Sequence, residues 1–236
     1  AANRDGFQKY GFRARRLVDV GTVDLSIELF GQTWASPVAL APVSSQRAFH
    51  QDAERPSARA ARRRGALQTI STLTNVSFET LIDDRQAPLW FQLYPTNDPK
   101  TARRLVERAD AAGAGAIVLT VDLLAGGMRR ETQAALARRD AGNCAQCHDR
   151  TAGFPDYLRR KAMFDGLDLS RTTALGDPRL TWDYVRQVRS WTKKPVLVKG
   201  IMSGQDAEQA LAHGADGIVV SNHGGRAEES LVGAID

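Results

Sequence analysis

A chain of 236 residues, 42% hydrophobic and 25% charged, has room for one ordinary domain or a single α/β barrel and too much apolar content for wholesale disorder. No apolar run approaches the ~18 residues that span a bilayer. The opening AANRDGFQKYGFRARR also lacks the apolar stretch of a secretory signal, which leaves a cytoplasmic protein with no integral membrane segment as the expectation.

The first apolar run, Val38 to Pro42, precedes the Ala/Arg-rich segment Glu54 to Arg64. Ala66 to Leu73 leads into Phe78 to Ile82. Leu89 to Tyr94 precedes Pro99 to Ala112, where Leu105, Ala109 and Ala112 have helical spacing. Ala116 to Val121 follows, then Thr181 to Trp191, Val196 to Gly200, Gln205 to His213 and Gly217 to Asn222. Continuous apolar runs alternating with helices predict six buried parallel strands in βα units. Right-handed crossovers leave a doubly wound sheet or a barrel as the candidates. Neither a fixed-period repeat nor a linker divides residues 1–236, so one domain is expected. Gly126 to Pro178 breaks the rhythm: it is long, charged and rich in Gly, Arg and Asp, and reads as an inserted loop of the kind used for lids.

The net charge of +5 comes from basic residues scattered over many segments, among them Arg62-Arg63-Arg64, Arg103-Arg104 and Arg159-Arg160-Lys161. Lying between apolar positions, they read as solvated helix faces, and no nucleic-acid partner is expected. Two cysteines cannot make a disulfide framework, in keeping with a reducing compartment.

Polar residues collect where the predicted strands end. Gln92 and Tyr94 close the third, Thr120 and Asp122 the fourth, Lys199 the fifth and Ser221-Asn222-His223-Gly224-Gly225-Arg226 the sixth. In an α/β barrel those ends share one face, the face that carries active sites. His223 has the residue type of a base near neutral pH, and Asp122 could hold its ring. By contrast, His50 and His213 read as structural. Arg226 stands on a Gly-Gly turn and offers a guanidinium to a carboxylate, so the expected substrate is an acid. Lys199, on a buried strand, needs an anionic partner, and a reduced flavin would supply one.

Ala41-Pro42-Val43-Ser44, Trp90-Phe91-Gln92-Leu93-Tyr94, Leu119-Thr120-Val121-Asp122, Val198-Lys199-Gly200 and Ser221 to Arg226 together resemble the FMN-dependent α-hydroxy-acid dehydrogenase/oxidase family. Glycolate and lactate oxidases and mandelate dehydrogenases belong to it. The resemblance covers nearly the whole chain in the family's order. It implies a TIM (β/α)8 barrel, an FMN cofactor, and oxidation of a small L-2-hydroxy acid to the 2-oxo acid with oxygen or another electron acceptor. It further implies a homo-oligomer, tetrameric in the family. Under the resemblance His223 is the base, paired with Asp122, and Tyr94 bonds the substrate. Arg226 and either Arg129 or Arg130 grip the carboxylate, with Arg130 preferred because Glu131 follows it. Lys199 stabilises the reduced flavin, and Pro42, Val43, Ser44, Ser71, Gln92 and Thr120 line its ring. Leu73 lies where the family's substrate pocket varies.

The chain departs from the family in several places. A segment with a substrate-binding tyrosine, which in the family precedes the stretch like Asn3 to Val20, has no counterpart. The seventh and eighth strands, whose loops bind the FMN phosphate, have none either. An incomplete barrel of about six βα units is therefore expected, as a fragment of a longer enzyme in preference to a degenerate protein with impaired flavin binding. Cys144-Ala145-Gln146-Cys147-His148 has the form of a c-type haem attachment or a partial metal site. In a long loop and without an export signal it reads as free thiols, with no metal expected. Arg129 to Lys161 falls where mandelate-type relatives touch a membrane, but it lacks the apolar content for insertion.

Overall fold

A computed structural model describes residues 2–123, 134, 153–227 and 232–236. All six predicted strands are present: β3 (Ala39–Leu40), β4 (Leu67–Ser71), β5 (Trp90–Leu93), β6 (Ala116–Thr120), β7 (Val196–Ile201) and β8 (Gly217–Val220). They form one parallel sheet in the order β3-β4-β5-β6-β7-β8, so that each strand pairs with its neighbour in the chain. This is the expected open part of a (β/α)8 barrel.

Helices α2 (Arg55–Arg63), α3 (Phe78–Arg85), α4 (Pro99–Ala111), α6 (Asp183–Trp191) and α7 (Gly204–Ala212) fill the connections; α1 (Ala2–Asp5) begins the chain and α5 (Phe154–Arg159) follows β6. Their starts follow from local chemistry. Ser77 accepts a hydrogen bond from the Thr80 N–H, Asp98 accepts from Lys100 with Pro99 next to it, and Ser203 accepts from Asp206.

The period-2 alternation of each strand divides the core into two layers. Ile70, Phe91, Leu93, Ile117, Leu119, Val196 and Val198 point to the helices and pack with Leu105, Val106, Tyr184 and Val188. Leu67, Trp90, Ala116, Val118 and Leu197 point to the inner face and pack on Trp34. Two residues beyond the inner-face positions Trp90, Val118 and Leu197 come Gln92, Thr120 and Lys199, so the same alternation delivers the polar residues to one side.

The alternating-strand reading did not include a hairpin. Strands β1 (Ile27–Leu29) and β2 (Gln32–Trp34) pair antiparallel around Phe30 and Gly31, with φ of 52° and 73°. Both positive values are what a tight two-residue hairpin loop requires. The hairpin sits across the N-terminal ends of the strands: Gln32 Nε2 donates to the Gly115 carbonyl at 3.2 Å and the Ala35 N–H to the Gly65 carbonyl at 3.0 Å.

The stretch 126–178, read as a loop, is structured over its described part. After α5 comes a short 3-10 turn, Ala162–Phe164, and Leu158, Met163, Phe164 and Leu169 are buried in the helix-side core. Arg108 on α4 fastens it by pairing with Glu79 at 2.6 Å while donating to the carbonyls of Ala162 and Met163 at 2.9 and 3.1 Å. Lys161, read as part of a solvated basic face, is instead fully buried and donates to Ser45 Oγ at 2.7 Å. Its four-carbon stem is packed, and the ammonium lies 4.9 Å from the centre of the Tyr157 ring.

Candidate active site

Four strands bring their polar ends together. Asp122, two residues beyond the end of β6, is the hub. Its Oδ1 lies 2.9 Å from His223 Nδ1, and its Oδ2 lies 3.6 Å from Lys199 Nζ. The second distance is an ion pair, longer than a hydrogen bond. Lys199 thus has a resident anionic partner in Asp122, in addition to the reduced flavin that the sequence reading offers as one. Their side chains are only 10% and 7% exposed, so the pair interacts in a poorly solvated setting. Burial holds the Lys199 ammonium below its usual range; Asp122 opposes that shift and the Arg226 guanidinium adds to it.

The close approach of Asp122 to β7 depends on Gly200. This residue has φ of +111° and lies at an irregularity in the β7–β8 pairing. A Cβ there would stand 2.7 Å from Asp122 Cβ and 2.9 Å from its backbone nitrogen, so only glycine fits.

His223 adopts φ of 57°, in the left-handed region, with its N–H donating to Ser221 Oγ at 3.0 Å. Such backbone in a non-glycine residue costs about 1–3 kcal/mol and is held by its surroundings. Its Nε2 faces Tyr94 Oη at 3.4 Å. Burial, with the nearby Asp122 charge, pushes the Tyr94 phenol up, so it stays protonated and able to donate. Arg226 is exposed, and its Nε donates to the His223 carbonyl at 3.2 Å, which places base and guanidinium on the same turn. Asn222 anchors that turn: it exchanges two 2.8 Å amide bonds with Asn3, a sequence separation of 219 residues, and accepts from the Gly225 N–H at 2.9 Å.

Next to this group are Ser71, Gln92 and Thr120, all buried. Gln92 Oε1 accepts from Ser71 Oγ at 3.2 Å and from the Thr72 N–H at 3.3 Å, which fixes the amide orientation. Gln92 Nε2 and Thr120 Oγ1 are then left buried with no partner among the described residues. Unsatisfied donors are costly inside a protein. A planar group carrying carbonyl acceptors, such as the flavin ring, would satisfy them, so the residues present fit that cofactor. Pro42, Val43 and Ser44 follow β3 on the same side, with Val43 and Ser44 exposed. Leu73 packs in the helix-side core.

Arg129, Arg130, Cys144, Cys147 and His148 lie outside the described residues. Sequence reasoning missed Lys161, Tyr157 and Glu54. The buried Glu54 carboxylate accepts from the backbone N–H groups of Gln46, Asn75 and Val76, tying the turn after β3 to the one after β4. No spacing in the sequence marks these three residues. Among the described residues no cluster of His, Cys, Asp and Glu could hold a metal ion, and no helix is long and apolar enough to cross a membrane.

Residues 1–236 match the family model for FMN-dependent dehydrogenase. The chain is similar to the 2-hydroxyacid oxidase of Dictyostelium discoideum, 37% identical over 240 residues that make up 100% of this chain and 59% of the relative. It is 39% identical over 244 residues to the 4-hydroxymandelate oxidase of Amycolatopsis orientalis, covering 100% of this chain and 64% of that one. A solved structure of a mandelate oxidase variant with benzaldehyde superposes with a TM-score of 0.79 at 35% identity, over 99% of this chain and 61% of the other. The chain thus spans between 59% and 64% of the length of these relatives.

Proposed function

The chain belongs to the FMN-dependent dehydrogenase family, and from that membership we propose that it oxidises a small L-2-hydroxy acid to the 2-oxo acid, the electrons passing to oxygen or another acceptor. One observation carries the reading: His223 is bonded through Nδ1 to the Asp122 carboxylate at 2.9 Å, with Nε2 3.4 Å from Tyr94 Oη.

A carboxylate only accepts, so Nδ1 must carry the proton and Nε2 presents a lone pair. His223 takes a proton from the substrate at Nε2, from the α-carbon or from its hydroxyl, and Asp122 stabilises the imidazolium that results. Bound FMN supplies the acceptor for the two electrons that the α-carbon loses. Arg226, with Arg129 or Arg130, holds the substrate carboxylate, and Tyr94 donates its phenol proton to a substrate oxygen. Gln92, Thr120, Ser71 and the backbone at residues 42–44 would hold the flavin ring. Lys199, itself steadied by Asp122, would offer a positive charge to the reduced flavin.

The names of the relatives, which include 2-hydroxyacid, 4-hydroxymandelate and L-lactate oxidases, support the substrate class. The same reading includes a cytoplasmic location, in keeping with only two cysteines, and a homo-oligomeric assembly.

The test is anaerobic reduction of the flavin-loaded protein by lactate, glycolate and mandelate, followed by loss of flavin absorbance. Bleaching by at least one acid is expected, and His223→Gln should abolish it while leaving the flavin bound. Protein that takes up no FMN would overturn the cofactor assignment. Reduction retained in His223→Gln would overturn the base.

A further inference from the structure

We propose that a cavity at the N-terminal end of the sheet, opposite the candidate active site, binds a small oxyanion, a carboxylate or a phosphate, at the exposed Arg62 guanidinium and in the field of the buried Arg85. Arg85 ends α3 and is 1% exposed, the largest fully buried side chain among the described residues. Its Nη2 donates to the Ala66 carbonyl at 2.5 Å, and its guanidinium carbon lies 5.7 Å from the centre of the Trp34 ring. Nε and Nη1 have no hydrogen-bond partner among the described residues. A guanidinium stays ionised in proteins, and a buried charge without a counter-charge is a costly arrangement. Burial alone pulls this guanidinium below its usual range, with no opposing carboxylate.

The residue borders a cavity of about 260 Å³ between the hairpin and the ends of α2 and α3. Its wall carries a second guanidinium, that of the exposed Arg62, together with Gln32, Thr33 and Trp34, and no acidic residue. The carboxylate nearest in sequence is Asp84, and that side chain is held by Arg55 at 2.8 Å. Two positive charges, an aromatic wall and no acid make a setting that attracts an anion small enough to enter. An anion there acts on Arg85 by proximity in a poorly solvated setting, where charges interact strongly even without direct contact. It would supply the counter-charge that the fold omits. The cavity is formed by the hairpin and helix ends, not by strand C-termini, so its occupancy is separate from the chemistry at His223.

Inorganic phosphate and acetate, titrated into the flavin-loaded protein at constant ionic strength, read the proposal by calorimetry and by thermal unfolding. At ten times its Kd the preferred anion should raise the unfolding midpoint by about 3–6 °C. The arm that gives the tighter Kd identifies phosphate or carboxylate as the ligand. Arg85→Met should weaken binding at least tenfold, Arg62→Ala several-fold, and His223→Gln not at all. Should Arg85→Met fail to fold, Arg62→Ala carries the test, since that side chain is exposed and its removal leaves the core intact. The proposal is overturned if neither anion binds the wild-type protein. It is also overturned if binding is unchanged in Arg62→Ala, or if His223→Gln removes it.

Discussion

At the C-terminal rim of the sheet the charges of the candidate site face opposite ones: Asp122 meets Lys199 at 3.6 Å and His223 at 2.9 Å. At the N-terminal rim Arg85 meets a carbonyl and the face of an indole. Both ends are built on the same strands, and both leave buried polar atoms without partners. They differ in what surrounds those atoms. The C-terminal end is a mesh of ionisable groups in which a change to one is felt by the rest. The N-terminal end is an apolar plug, with Trp34 and Trp90 packed in the inner core and one buried cation, Arg85, beside it. The candidate site and the packed tryptophans thereby lie at opposite ends, the arrangement by which barrels generally separate chemistry from stability.

Asp122→Asn breaks the mesh and should have the largest effect on rate. Flavin reduction at saturating 2-hydroxy acid is expected to slow by about 10²–10⁴-fold, read by stopped-flow absorbance. A loss under tenfold would mean that the carboxylate is not coupled to the base. Trp34→Ala probes the plug: unfolding in urea should show a loss of about 3–5 kcal/mol, with the reduction rate of the remaining flavin-loaded protein unchanged. If the rate falls with stability, the two ends are not independent.

Gly200→Ala moves Asp122 without removing it. A methyl group 2.7 Å from Asp122 Cβ must displace the carboxylate, and a loss of about 10²-fold in reduction rate is expected. A crystal structure of the variant should show Asp122 farther from His223 Nδ1.

The smallest effect concerns alkaline stability. Lys199 is held below its ordinary 10.5, so just under that pH the folded chain has released a proton that the unfolded chain still binds. Through this residue stability rises with pH across that window. Tyr94, pushed above 10.0, keeps its proton when the unfolded chain loses it, and through it stability falls as pH climbs past 10.0. Lys199→Met should remove the first trend and Tyr94→Phe the second, each at no more than about 1.4 kcal/mol per pH unit. Denaturation curves between pH 8 and about 11 would resolve both.

The strands were legible because a strand covered on both faces must be apolar at consecutive positions, as Ala116 to Leu119 are. The polar strand ends were legible for the complementary reason: an apolar run that stops at Gln92, Thr120 or Lys199 stops on the inner face. The hairpin was less visible. Its strands are three residues each, too short for alternation to register, although Phe30-Gly31 carries a turn signal that could have been used. Lys161 escapes a local reading because a lysine after two arginines has the look of a solvated face, and nothing local announces that its ammonium donates to Ser45, 116 residues away. Arg85 was hidden in the same way. Burial of a cation is a property of what packs over it, and that is contributed by the distant Trp34.

The reciprocal amide pair between Asn3 and Asn222 makes the His223 turn answerable to a residue 219 positions earlier in the sequence. Linking positions 219 residues apart carries the greatest loop-closure penalty of any contact in the site, so this clasp closes after the strands between them have docked. A molecule still assembling therefore holds its imidazole loosely, and the turn that carries His223 is fixed only once Asn3 is in place.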